Sequence, residues 1–75
     1  MKYVVYENDE TGTNVQLTVK ENFVDAEYYL KKQFPHLIKL STEIYNGVER
    51  TNYREDYGSE RYFVIEKFYR RKRKG

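Results

Sequence analysis

Arg61-Tyr62-Phe63-Val64-Ile65-Glu66-Lys67-Phe68-Tyr69 is the most apolar run in the chain, and it continues without a break into Arg70-Arg71-Lys72-Arg73-Lys74. Rings and branched side chains in succession favour extended backbone, because they pack well on a pleated surface. The run is read as a central β-strand whose end carries a block of positive charge into solvent. Two orientations are open. With Tyr62, Val64 and Phe68 toward a covering helix, the residues Arg61, Phe63, Ile65, Lys67 and Tyr69 would line the open face of the sheet. The reverse orientation makes Phe63 and Ile65 core. Periodicity does not choose, since Glu66 interrupts one face and Lys67 the other.

The rest of the chain supplies what packs on that strand. Residues 2–7 and 15–20 read as two strands, the second alternating cleanly as Val15, Leu17 and Val19 against Gln16, Thr18 and Lys20. Asp9-Glu10-Thr11-Gly12-Thr13 between them suits a type I turn closed by a left-handed glycine. That register sets Val5 opposite Leu17 and Tyr3 opposite Val19, with Val4 and Tyr6 on the other face. Asn22 then caps a helix, with Asp25 placed as in a capping box. Phe23, Ala26, Leu30 and Phe34 form one apolar stripe, charges agree with the helix dipole, Glu27 can pair with Lys31, and Pro35 ends the element.

Residues 37–45 alternate again, Ile38, Leu40 and Ile44 on one side and Lys39, Ser41 and Glu43 on the other. Asn46-Gly47 is the strongest hairpin signal, because a type I′ turn needs two residues at positive φ. It pairs Tyr45 with Val48, Glu43 with Arg50 and Leu40 with Tyr53. The polar strand 48–53 is expected at an edge, where charge discourages further pairing. Residues 54–60 form a polar loop. The fold class is α+β: a single domain over residues 1–69, in the order β-β-α-β-β-β, with one helix on an antiparallel or mixed sheet. Residues 70–75 are expected to be a disordered basic tail. In topology alone this order is similar to small accessory polymerase subunits and small phage-encoded regulators.

With 75 residues and no cysteine, neither disulfides nor a thiolate zinc site can add stability, so aromatic and branched residues must form the core. Such a domain has about 3–5 kcal/mol of net stability, and a homodimer joined through strand edges is one way to add more. The lack of cysteine fits a reducing cytoplasm, and no apolar run approaches membrane length. Residues 61–75 hold seven basic side chains against Glu66, a net of +6, whereas residues 1–60 hold seven against eleven acidic ones, a net of −4.

Catalysis is not expected. His36 follows Pro35 in a turn, no cysteine can act as nucleophile, and the four glycines are isolated. Adjacent carboxylates at Asp9/Glu10 and Glu55/Asp56 suit solvated turns better than a metal site, so neither metal nor cofactor is expected. The favoured function is a non-catalytic module at or near nucleic acid, with phosphate contacts from Arg61, Lys67, Tyr69, Arg70, Arg71, Lys72, Arg73 and Lys74. The alternative is a protein-binding regulator, inhibitor or accessory subunit, phage-encoded ones included, that targets a nucleic-acid-handling protein. Tyr45, Glu49, Tyr53, Glu55, Asp56 and Tyr57 would form its tyrosine-rich acidic surface, since nine tyrosines exceed what one small core can enclose.

Overall fold

A computed structural model describes residues 2–8, 11, 13–55 and 61–68. The elements are β1 (Lys2–Asn8), β2 (Asn14–Lys20), α1 (Phe23–Gln33), β3 (Leu37–Tyr45), β4 (Val48–Glu55) and β5 (Tyr62–Phe68). The strands make one sheet in the order β2-β1-β5-β4-β3, every neighbour antiparallel. β5, last in sequence, is thus the middle strand. The helix lies on one face only, and Val5, Ala26, Leu30, Tyr53, Phe63 and Ile65 form the buried core beneath it.

That core settles the orientation of β5. Phe63 and Ile65 are 0% and 1% exposed on the helix side, so Tyr62, Val64, Glu66 and Phe68 lie on the other face with Val4 and Tyr6. Of the two orientations left open by the sequence the second is therefore the one adopted, and Phe63 and Ile65 do not line an open face. The helix needs large side chains to bury: Phe34 meets the Phe63 ring at 4.5 Å, while Phe23 packs edge-on against Tyr3 at 5.9 Å.

Helix α1 forms as its sequence dictates. Asn22 Oδ1 accepts from the Asp25 amide at 2.9 Å, satisfying one of the orphan N–H groups of the first turn. Ala26 and Leu30 are buried, with Phe23 and Phe34 extending the stripe. The Phe34 amide donates to Leu30 O at 2.8 Å, and the helix stops before Pro35.

Two bulges alter the expected registers. Between Val5 and Tyr6 the pairing jumps from Val5–Thr18 to Tyr6–Gln16, which puts Leu17 outside the ladder and in contact with the core. Tyr3 consequently faces Lys20, and Val19 faces Val4 on the helix-free side. In the second hairpin Tyr45–Val48 and Glu43–Arg50 pair as expected, but a bulge at Leu40 gives Tyr53 the partner Lys39. Asn46 and Gly47 have φ of 53° and 79°, as the type I′ turn requires.

β4 is the other correction. It runs between β5 and β3, and the edges are β2 and β3. A polar strand survives inside the sheet because its alternate residues face different surroundings. Thr51 and Tyr53 are buried under the helix side, while Arg50, Asn52 and Arg54 look toward the face no helix covers. Cross-strand charges then match: Arg50 Nε lies 3.0 Å from Glu66 Oε2, and Lys67 Nζ lies 3.7 Å from Glu49 Oε1. Among the described residues, no helix is long and apolar enough to cross a membrane.

Candidate functional site

The basic residues expected to grip phosphate are placed differently from one another. Arg61 donates from Nε and Nη2 to the two carboxylate oxygens of Glu7, at 2.7 and 3.0 Å. This planar, two-point pairing is the strong form of the arginine–carboxylate contact. The guanidinium also lies 4.8 Å from the Phe34 ring centre and 5.8 Å from that of Phe63. The Glu7 contact holds Arg61 even further above its already high ordinary pKa, with burial opposing it. Arg61 thus closes the end of the core near the helix C-terminus. Lys67 pairs with Glu49 and sits 6.0 Å from the Tyr3 ring, also on the helix side. Tyr69, Arg70, Arg71, Lys72, Arg73 and Lys74 lie outside the described residues, as do Asp56 and Tyr57.

The tyrosine-rich surface is also divided. Tyr45 is exposed at the end of β3, beside exposed Ile44. Tyr53, expected at the surface, is 1% exposed and donates from its hydroxyl to Glu27 Oε2 at 2.8 Å. Burial first, then the bond to Glu27, pushes the Tyr53 phenol well above its ordinary value. Glu27 in turn has Lys39 Nζ at 3.4 Å and Lys31 Nζ at 4.0 Å. Burial alone would raise the Glu27 carboxyl, but the Tyr53 bond and the two lysines together hold it below its ordinary value. This network ties α1 to β4 and β3, so Tyr53 serves the fold rather than a surface. Glu55 ends β4, its amide donating to Arg61 O at 3.1 Å across the base of residues 56–60.

The described residues form concavities on the helix side of the sheet and beside the helix. One, about 240 Å³, is lined by Tyr3, Phe23, Glu49, Thr51, Ile65 and Lys67, where the sheet extends past the start of the helix. Another, about 200 Å³, lies on the outer side of the helix between Lys20, Tyr28, Tyr29 and Lys32. No cluster of three His, Cys, Asp or Glu capable of holding a metal occurs among the described residues, and His36 is in an exposed turn.

The face opposite the helix carries Tyr6, Tyr62 and Phe68 together with Arg50 and Arg54. Its rows run across the strands. Gln16, Tyr6, Val64, Asn52 and Ser41 form one; Asn14, Asn8, Tyr62, Arg54 and Ile38 the next. Val64 and Val4 are only 5% and 7% exposed on this face, although no helix covers it among the described residues. Tyr62 and Phe68 remain exposed there. Burial, then the nearby Glu66 carboxylate, raises the Tyr6 phenol above its ordinary value, with Arg50 opposing them. Arg54 is exposed and makes no ion pair or hydrogen bond among the described residues. Arg50 Nε–H lacks a hydrogen-bond partner despite its 3.0 Å ion pair with Glu66, because the contact is near in distance but poorly directed. Sequence reasoning missed Arg50 and Arg54. Their alternation with buried Thr51 and Tyr53 was the available signal, since period two puts both arginines on one face.

The chain matches no family model, no curated protein and no solved structure.

Proposed function

We propose that this chain is a non-catalytic, cytoplasmic module that binds nucleic acid across the helix-free face of its sheet, with residues 70–74 adding phosphate contacts. The observation that carries the reading is the row in which exposed Arg54 lies directly opposite Tyr62 on the central strand. Tyr6 stands diagonally across on the next strand, and Phe68 lies further along β5. Aromatic rings standing out of an uncovered sheet beside arginine can stack bases while the cations meet phosphate. In sequence, Phe68 is followed by Tyr69 and five consecutive basic residues, so the run of cations comes directly after the strand that carries Tyr62 and Phe68.

The test is titration of a fluorescein-labelled oligonucleotide, followed by anisotropy at several salt concentrations. The full chain should bind with a steep salt dependence. Removal of residues 70–75 should abolish measurable binding at moderate salt. Any binding left at low salt should show a log–log slope reduced by roughly 4–5 on duplex DNA, about 0.9 for each lost phosphate contact. Unchanged binding by the truncated chain would refute the tail's role.

One observation favours a second reading, capture of a nucleic-acid-handling protein. Edge strand β3 presents Leu40, Ile44 and Tyr45 to solvent, Ile44 being 75% exposed. On that reading Tyr45→Ala combined with Ile44→Glu abolishes partner capture and leaves oligonucleotide affinity unchanged. Tyr53 has no part in it, being buried.

A further inference from the structure

The proposed nucleic-acid face carries a further distinction, which rests on that reading: which form of nucleic acid it takes. We infer that the ligand is single-stranded, with a phosphate on Arg54 of β4 and two of its bases on Tyr62 and Tyr6.

The geometry separates two kinds of contact onto adjacent strands. Arg50, Asn52 and Arg54 succeed one another on the same face of β4, the two arginines about 14 Å apart along the strand. Tyr62 is the direct cross-strand neighbour of Arg54, within about 5 Å at the Cβ atoms, and Tyr6 is a further strand over and one step along. A phosphate held by Arg54 therefore leaves its own base over the central strands, where the rings are. An unpaired strand can turn its bases into the sheet and use both contacts. In a duplex the bases are already stacked and paired, so Tyr62, Tyr6 and Phe68 gain nothing from it.

Charge points the same way. The helix-free face is not uniformly basic: Glu66 and Glu43 flank Arg50 in the same row, on β5 and β3. A duplex lying on the sheet would bring its second phosphate backbone over these carboxylates. A single strand following β4 toward Arg54 moves away from them. Asn52, between the arginines, is held by Glu43 Oε2 at 3.0 Å and so fixes that carboxylate on the β3 side.

The experiment compares fluorescein-labelled oligo(dT) with a labelled duplex of equal length, using the full chain. Single strand should bind at least about 10-fold more tightly than duplex. Tyr62→Ala should weaken single-strand binding about 5- to 100-fold with little change in salt slope, and Tyr62→Phe should restore it. Arg54→Ala should weaken it and lower the slope by about 0.7, the value for one phosphate contact on a single strand. Arg54 is exposed and unpaired among the described residues, so its replacement tests the inference even where Tyr62→Ala unfolds the sheet. Equal or tighter duplex binding would overturn the single-strand inference and leave nucleic-acid binding by this face standing, whereas unchanged binding by both variants would overturn the reading of the face itself. Failure of the full chain to bind either probe would overturn both.

Discussion

Replacing Tyr53 by phenylalanine removes one oxygen and leaves the ring, so it isolates the contact that locks the helix to β4. In the native fold that hydroxyl donates to Glu27 Oε2 at 2.8 Å. Hydrogen bonds to charged groups contribute about 1.5–3 kcal/mol. Glu27 keeps Lys39 and Lys31, and its side chain is 20% exposed, so water replaces part of the loss. The expected cost is therefore about 1–2 kcal/mol, around and below the bottom of that range. For a domain of this size each kcal/mol lowers Tm by about 4–8 °C, so thermal melting followed by circular dichroism should show a fall of about 5–15 °C. Glu27→Gln in the Tyr53→Phe background should add less than it does alone, because the two groups act on each other. A Tyr53→Phe chain melting within about 1 °C of wild type would refute the claim that this bond anchors the helix. Tyr53→Ala is a different perturbation. Its cavity cost of about 3–5 kcal/mol approaches the whole stability of so small a domain, so loss of any partner would then report unfolding.

Acid should expose the same network. Glu27 is held below its ordinary value in the folded chain, so its contribution is present above the unfolded carboxylate range and disappears as pH falls through the folded value. Melting curves should show wild type losing its advantage over Glu27→Gln as pH drops below about 4. Ile65→Ala should cost about 2–5 kcal/mol in urea unfolding, whereas Val19→Ala, on the exposed edge strand, should cost under about 1; similar costs would contradict the assigned faces. Gly47→Ala should destabilise by about 1 kcal/mol through its φ of 79° alone, since an added Cβ meets nothing within 4 Å. A neutral or stabilising result in the same assay would refute the type I′ geometry.

The helix was fully legible because its information is local: a cap at Asn22, a stripe of apolar residues at helical spacing, and a proline after it. The Asn46-Gly47 turn was legible for the same reason. The registers were harder, because bulges at Leu17 and Leu40 add a residue without any composition signal, and each shifts the strand beyond it by one. The position of β4 is hidden from its own composition, because a polar strand is more common at an edge. Thr51 and Tyr53 show that a strand can be half polar and still internal when only one face of the sheet is covered. The orientation of β5 could not be decided from its own residues. It depends on Phe34, Leu30 and Val5 meeting Phe63 and Ile65, contacts far apart in sequence. The make-up of the candidate site follows from that orientation: turning β5 over exchanges Arg61 and Lys67 for Tyr62 and Phe68, and brings Arg54 into play.

The central claim is that ligand meets the sheet on the side opposite the helix. Titration of the isotopically labelled full chain with oligo(dT), followed through backbone amide and aromatic side-chain resonances, tests it most directly. The account predicts the largest ring-proton shifts at Tyr6, Tyr62 and Phe68 and a response at the Arg54 side chain, with the Tyr3 and Phe23 rings quiet. Shifts concentrated on Tyr3, Phe23 and Lys67, or an unperturbed spectrum at saturating oligonucleotide, would contradict it.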